Sequence, residues 1–339
     1  LYANTTGTCN TAIGFSALVA NTTACNNVAV GLEGLSTATT GSHNTAIGTK
    51  SLTKLTTGAK NVALGFRTMC SLTTGVNNVA LGAFTLDGNT TGHCNTASGY
   101  AAMYSNTTGC NNAAYGDCAL HDNTTGCLNV AIGRHALVNN TTANNNTAVG
   151  ACSLFDNTTG TRNTAVGFKT LPNNTTGCDN VALGYYSMQV NTSGHHNTAV
   201  GNCALYRNET GDQNTASGFK SLQENTTGCY NTALGVCSLH SNTTGVANTA
   251  VGFNSLLATT TGNNNTGIGR SAMQTNTTGI RNIAVGNYAL YANTTGNYNT
   301  SSGYYNMMDN TTGAYNVSLG YRALESNTTA NCNTAIGAC

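Results

Sequence analysis

The stretch N-T-A-I-G-F-S-A-L-V-A-N-T-T-A-C-N, residues 10–26, is the first full copy of a unit that fills the chain. Asparagine recurs at every seventeenth residue from Asn10 to Asn333, and the glycine four places later recurs with it from Gly14 to Gly337. The twenty copies contain no insertion or deletion. A globular enzyme tolerates changes of loop length, whereas a stack of identical coils does not. The period therefore predicts a long regular object and not a domain built around a pocket.

Composition argues against several classes of partner. Only 7% of the 339 residues are charged and the net charge is +1, so attraction to nucleic acid or to an anionic membrane has little support. No apolar run approaches the roughly 18 residues of a membrane span, and no secretory signal is visible. Leu1 occupies the leucine position of a repeat and Cys339 stops in mid-repeat. We therefore expect the chain to be a segment of a longer one.

The unit predicts a β-solenoid when its positions are numbered from the recurring asparagine at position 0. The consensus is N-T/V-A-I/V/L-G-x-x-A/S-L-x-x-N-T-T-G-x-x, in which glycine and β-branched residues recur too often for helix. The alternation from 0 to +4 predicts one strand, and a second short strand is expected from +7 towards +13. Glycines at +4 and +14 are expected to turn the corners.

Two strands and two turns describe one coil of a parallel β-solenoid. Residues 1–339 are predicted to form a single continuous all-β solenoid of about twenty such coils. At about 4.8 Å per coil this gives a length of about 95 Å.

Three columns, each made of the residues at one position in all copies, are predicted to form the core. Position +8 is Leu or Met in every copy, +3 is Ile, Val or Leu in sixteen, and +1 is Thr in twelve. Where Ser replaces the aliphatic residue at +3, the residue two places on is aromatic. The three cases are Ser98, Ser217 and Ser302, followed by Tyr100, Phe219 and Tyr304. Because residues i and i+2 share a face of a strand, the ring is expected to fill the volume that Ser vacates.

Charge marks the predicted outside of the coil. Of the 23 Lys, Arg, Asp and Glu residues, 22 fall at +5, +6, +9, +10, +15 and +16, so these columns are predicted to be solvent-facing corners. Position +2 is Ala in seventeen copies and never large or charged. It would point away from the predicted core, so this face is expected to press against a copy of the same chain in a parallel homo-oligomer. The alternative is that alanine merely fits a tight coil.

Fourteen cysteines favour an oxidising, extracellular setting with disulfides. Metal binding is the rival interpretation, although no CxxC or HxxxH spacing occurs. All cysteines except Cys70 lie at +6, +15 or +16. Candidates for links between chains are Cys110 with Cys118, Cys229 with Cys237, Cys332 with Cys339, Cys127 with Cys152, and Cys178 with Cys203. Cys9 with Cys25, or Cys94 with Cys110, could instead bridge adjacent coils of one chain. Free surface thiols are the third interpretation.

Sixteen copies carry an N-x-T/S sequon at +11, which makes each asparagine a formal glycosylation site. Examples are Asn4, Asn89, Asn157, Asn225 and Asn327. Glycans on coils about 4.8 Å apart would crowd one another. The favoured interpretation is an asparagine ladder whose side-chain amides bond from coil to coil, because Leu55 and Leu72 replace this residue in two copies and suit a sheltered position.

Threonine at +12 and +13 is nearly constant among the copies. Regular Thr ladders resemble those of ice-binding β-solenoids, which supply the main alternative function. Adjacent Thr side chains point to opposite faces of a strand, so only one column could meet ice, and T-T-G also suits turn chemistry. The seven histidines lie in corner columns without a repeated carboxylate partner. No catalytic, cofactor-binding or metal-binding residues are predicted, and the chain is not expected to be an enzyme.

The string N-T-A-I-G-x-x-A/S at residues 10–17 and 44–51, begun again at 333–338, resembles the head repeats of YadA-like trimeric autotransporter adhesins and similar repeats in phage and viral fibres. The resemblance implies a left-handed parallel β-roll and three chains side by side in a surface fibre. The longer period and the abundant cysteines depart from that pattern. We therefore expect a non-enzymatic extracellular fibre or adhesin shaft on a cell or virion surface. Its expected partners are copies of itself, in a homotrimer or end-to-end filament, and a glycan or host-surface ligand.

Overall fold

The computed structural model describes residues 1–338 and is all-β, with one three-residue strand in every repeat. The chain divides into two compact units, Leu1–Thr176 and Gly177–Cys339. The strands of the first unit are β1 to β10, at Thr11–Ile13, Val28–Val30, Thr45–Ile47, Val62–Leu64, Val79–Leu81, Thr96–Ser98, Ala113–Tyr115, Val130–Ile132, Thr147–Val149 and Thr164–Val166. Those of the second are β11 to β20, at Val181–Leu183, Thr198–Val200, Thr215–Ser217, Thr232–Leu234, Thr249–Val251, Thr266–Ile268, Ile283–Val285, Thr300–Ser302, Val317–Leu319 and Thr334–Ile336.

Each unit is a parallel β-solenoid with one coil per repeat. In the first unit β1 pairs in parallel with β2, with Thr11 opposite Val28, and the same register continues to β10. In the second unit β11 pairs with β12 in the same way, with Val181 opposite Thr198. The predicted fold class, coil length and stacking of equivalent residues are confirmed. No helix among the described residues is long and apolar enough to cross a membrane.

The prediction of a second strand from +7 towards +13 is wrong. Positions +5 to +10 form turns in every complete coil except at Thr170 and Leu171, which are bends. The residues at +6 and +8 adopt left-handed backbone conformations, which interrupt an extended chain. In one coil the φ angles are 56° at His135 and 52° at Leu137. Backbone bonds between coils continue through this segment, for example from Leu137 N–H to Ser153 O at 3.0 Å. Stacking of turns therefore replaces the second sheet.

Glycine at +4 turns the chain as predicted. Gly133 has a φ of 128°, a region that side chains other than glycine rarely occupy. A Cβ there would also lie 2.7 Å from the carbonyl carbon of Gly150 in the next coil. The +4 column must therefore stay glycine for both conformational and steric reasons.

On the strand, the buried side and the exposed side are the reverse of those predicted. Ala63 at +2 is fully buried, whereas Val62 at +1 and Leu64 at +3 keep 38% and 47% of their surface exposed. The prediction that +1 and +3 form the core is wrong, and so is the expectation that the +2 face presses against another chain. The core prediction for +8 is confirmed, since Leu or Met at this position is buried in nearly every coil.

The size of the interior explains the alanine column. Where Gly267 stands at +2, an added Cβ would lie 3.1 Å from Leu256 Cγ and 2.7 Å from Ser255 Oγ. The interior beside the buried leucine at +8 therefore admits only small residues at +2, which are Ala, Gly or Ser in every copy, so the alternative of a tight coil is confirmed. The serines at +3 lie on the outer side, and the proposed filling of core volume by rings such as Tyr100 is wrong.

Candidate functional site

Two files of asparagine side chains run through the interior of each unit. At position 0, the Asn129 N–H donates to Asn112 Oδ1 at 2.9 Å, and its Nδ2 donates to Ala143 O at 2.8 Å. Asn129 Oδ1 in turn accepts the N–H of Asn146 at 3.0 Å. Each such amide therefore joins three successive coils, and both polar atoms of the buried side chain have a hydrogen-bond partner.

The second file is the predicted ladder at +11. Asn123 Nδ2 donates to Asn106 Oδ1 at 2.8 Å and to Gly126 O at 2.9 Å. The five sequon asparagines named from the sequence belong to it. Asn89, Asn157 and Asn225 are buried, while Asn4 and Asn327 lie in the terminal coils with their amides also bonded in the file. A glycan on a buried amide would have no path to solvent, so this geometry favours the structural role.

The +11 file is interrupted where the sequence replaces asparagine. Ala38 follows Asn21 and Thr259 follows Asn242 in the next coil. At both points the last asparagine keeps a buried Oδ1 without a hydrogen-bond partner. An unsatisfied buried acceptor costs about 1–3 kcal/mol, so the ends of the file are locally weak points.

The outer side of the strands forms a regular surface in each unit. It consists of the +1 and +3 columns, which we call the strand face, and these columns contain no charged residue. In the first unit its exposed members include Ile47, Leu64, Leu81 and Ile132. Exposed apolar side chains in successive coils, such as Ile47, Leu64 and Leu81, are typical of an interaction surface.

The threonines at +12 and +13 have different surroundings. Thr141 at +12 is half-buried, and its hydroxyl donates to Thr158 O in the next coil at 3.2 Å. Thr142 at +13 is exposed. The +12 hydroxyls are thus engaged in holding coils together, and of these two columns it is +13 that presents its hydroxyls to solvent.

The thirteen described cysteines are free thiols, with no disulfide among them. They are Cys9, Cys25, Cys70, Cys94, Cys110, Cys118, Cys127, Cys152, Cys178, Cys203, Cys229, Cys237 and Cys332. Neither suggested link within the chain, Cys9 with Cys25 or Cys94 with Cys110, is formed. Cys339 lies outside the described residues, and the links suggested between chains stay predictions.

Cysteines at +15 have a local role that the sequence did not reveal. The backbone N–H at +15 donates to the side chain at +15 in the next coil, and sulfur serves as that acceptor. Cys25 accepts from the Thr8 N–H at 3.3 Å, and Cys127 accepts from the Cys110 N–H at 3.1 Å. In the next coil, Asn144 Oδ1 accepts the Cys127 N–H in the same way, at 2.7 Å. The thiol is therefore directed along its own column and not towards +16, which explains why Cys25 does not reach Cys9.

The thiols differ in acidity. The pKa of Cys25 is lowered because the Thr8 hydroxyl and N–H both donate to its sulfur. Burial raises the pKa of Cys110 and of Cys203. Burial, and then the charge of Asp117, raises the pKa of Cys118. Since the thiolate is the reactive form, Cys25 is the better nucleophile of these four.

One group of side chains that could hold a metal ion was missed in the sequence. Within residues 1–338, Asp117, Cys118 and His135 place their ligand atoms within 4.8 Å of one another. Cys118 and His135 are 17 residues apart and share the +6 column. The signal was this shared column, which a search for short CxxC or HxxxH spacings overlooks.

Aromatic side chains stack along the corners. Tyr288 and Tyr305 lie with ring centroids 5.1 Å apart, and Tyr298 and Tyr315 with centroids 4.9 Å apart and planes at 4°. In the first unit Phe84, Tyr100, Ala101, Tyr104, Cys118 and His121 line an open groove. Such exposed aromatic surfaces are suited to contact with sugars or with another protein surface.

Comparison with known proteins gives no family for this chain. No protein-family model and no curated protein sequence matches it.

Proposed function

We propose that this chain is a non-enzymatic structural segment of an extracellular fibre that assembles side by side with copies of itself through the strand face. The observation that carries the proposal is an uncharged face of mainly aliphatic and threonine side chains, repeated in every coil, that no part of its own coil covers. The resemblance to YadA-like heads suggests three parallel chains. In this proposal the chains contact one another through the +1 and +3 columns, because +2 lies in the interior of the coil.

The spacing of side chains along the strand face favours a second copy of this chain as the binding partner. Side chains of the same column repeat every coil, at about 4.8 Å. A partner matches such a face along its length only if it has the same step, and a second copy has it. Lysines and arginines, which would favour an acidic partner, are confined to the corners.

The area of the face predicts how association depends on length. Three extended residues span about 10 Å, so ten coils offer about 480 Å². A standard interface buries about 800 Å² per partner. One unit alone should associate weakly, and affinity should rise with the number of repeats.

The corner columns are proposed as the variable surface of the fibre. Their stacked rings, such as Tyr304 with Tyr321 at 6.0 Å, support adhesion to a glycan or to a host surface as the activity beyond structure. Links between chains through corner cysteines are part of the same proposal. They would lock an assembly that the strand face brings together.

Sedimentation velocity tests the assembly. The wild-type chain should sediment as an oligomer, and the triple variant Ile47→Lys, Leu81→Lys, Ile132→Lys should sediment as a monomer, because like charges would face one another across the interface. The matched control places three lysines at +5 by Thr49→Lys, Ala83→Lys and Ala151→Lys. It adds the same charge at a corner and should leave the oligomer unchanged. A wild-type monomer at every concentration, or equal dissociation of both variants, would contradict the proposal.

Ice binding is the second candidate function, and the exposed +13 threonines favour it. The strand face mixes Thr with Val, Ile and Ala at +1, which makes it a less regular hydroxyl surface. Thermal hysteresis of the wild-type chain decides between the two candidates. Hysteresis that is lost on changing Thr108, Thr125 and Thr142 to Lys would favour ice binding, and its absence would exclude it.

A further inference from the structure

A half-buried group at one corner of the first unit has the composition of a metal site. Asp117 and Cys118 are neighbours at +5 and +6 of one coil, and His135 is at +6 of the next. The His135 N–H donates to Asp117 O at 3.0 Å, so the backbone fixes the two coils relative to each other. Cys118 Sγ lies 3.7 Å from Asp117 Oδ1.

We propose that Asp117, Cys118 and His135 bind a divalent transition-metal ion of the zinc class. Thiolate, imidazole and carboxylate together are ligands that Zn²⁺ accepts in proteins. Bond lengths of about 2.3 Å to sulfur and about 2.1 Å to oxygen place those two atoms about 3.6 Å apart in a tetrahedral site. The observed sulfur–oxygen distance of 3.7 Å already has this value. Rotation of the imidazole, which lies within 4.8 Å of both atoms, completes the third bond.

Arg134 supports the arrangement from outside the group. Its Nε lies 3.4 Å from Asp117 Oδ2, which leaves Oδ1, the oxygen beside the sulfur, for the ion. Partners that hold the second oxygen of a carboxylate orient it towards a metal. The pair is largely exposed, at 68% for Arg134 and 45% for Asp117, so its competition with the ion is weak.

Three protein ligands leave one coordination position open. Cys152 stands in the same column one coil beyond His135, outside the group of mutually close ligand atoms. The fourth position therefore belongs to solvent, as in sites that keep an exchangeable ligand. The column itself explains how the site arises, since stacking brings any two residues 17 apart to the distance of one coil.

Cobalt titration of the reduced full-length chain tests the proposal. Co²⁺ replaces Zn²⁺ in such sites and reports thiolate ligation by a charge-transfer band and tetrahedral geometry by visible d–d bands. The wild-type chain should show both bands, saturating at one equivalent, and Zn²⁺ should displace them. Cys118→Ser should abolish the charge-transfer band, and His135→Asn and Asp117→Asn should weaken affinity on the order of tenfold or more.

The controls come from the same column. Ser271 and Asn254 occupy +6 in other coils, so Ser at 118 and Asn at 135 suit the backbone there, and circular dichroism verifies the fold. Cys237→Ser removes a +6 thiol whose column neighbours are Lys220 and Asn254, and it should leave the cobalt spectrum unchanged. A wild-type chain without the bands overturns the proposal. So does a charge-transfer band that survives Cys118→Ser, or one that is lost with Cys237→Ser.

Discussion

Removing one amide from the +11 file should weaken the solenoid far more than the size of the change suggests. In Asn123→Ala, the bonds to Asn106 Oδ1 and Gly126 O are lost, as is the bond that Asn123 Oδ1 accepts from Asn140 Nδ2 at 2.8 Å. Each buried bond contributes about 1 kcal/mol, and the orphaned Asn106 Oδ1 adds a further penalty. Gly126 O keeps its bond from Asn112 Nδ2. We expect a loss of about 3–5 kcal/mol in the free energy of unfolding.

Hydrogen exchange measures this loss where it occurs, without assuming that a repeat protein unfolds in one step. Amides in the coils that contain Asn106, Asn123 and Asn140 should exchange about 10² to 10⁴ times faster in Asn123→Ala, since about 1.4 kcal/mol is a factor of ten. The control is Asn139→Ala, which removes a half-buried amide and its bond to Asp156 at 2.8 Å. If both variants exchange at the same rate, the ladder does not stabilise the coils as argued.

Three further changes probe the interior, a titrating group and the thiols. Ala148→Val should destabilise the chain by about 1–3 kcal/mol through overpacking, whereas Val149→Ala on the outer side should cost less, and the reverse order in urea unfolding would contradict the orientation of the strand. Burial lowers the pKa of His240 below its ordinary value, against the charge of Glu224. The unfolded chain therefore binds a proton first, and stability should fall as pH drops through about 6.5. His240→Gln should flatten that part of the pH profile, and an unchanged profile would refute the burial argument. Cys25, with its lowered pKa, should be alkylated faster near neutral pH than Cys110, as mass spectrometry of partially labelled chains can show, and equal rates would count against the Thr8 bonds.

The stacking of the coils was predictable from the period of the sequence, but which face of the strand points into the interior was not. An unbroken repeat of Asn129, Asn146 and their equivalents requires that equivalent residues lie above one another. Alternation over residues such as Val62, Ala63 and Leu64 indicates two faces without telling which is inside. Hydrophobicity favours the aliphatic pair as the buried side, whereas the narrow space beside the buried leucine at +8 admits only small side chains such as alanine.

The turns and the corner contacts depended on geometry that residue types alone do not convey. A left-handed conformation is unusual for a bulky side chain such as Leu137, so its recurrence at +8 could not be expected from residue type, and the replacement of the second strand by turns was missed. Cysteine pairs were proposed from column positions alone. Cys25 does not pair with Cys9 because its sulfur accepts the backbone N–H of Thr8 in the preceding coil.

Pulsed electron–electron spin resonance distances within the first unit test the central claim, that residues 17 apart lie one coil above each other. Labels should be attached through a bioorthogonal amino acid, because the chain has fourteen cysteines. One label stays at exposed Ile132, and the other is placed at Leu64, Ile47 or Ile13 in turn. At about 4.8 Å per coil the backbone separations should be about 19, 24 and 34 Å. Separations that do not grow in proportion to the number of coils would contradict the account.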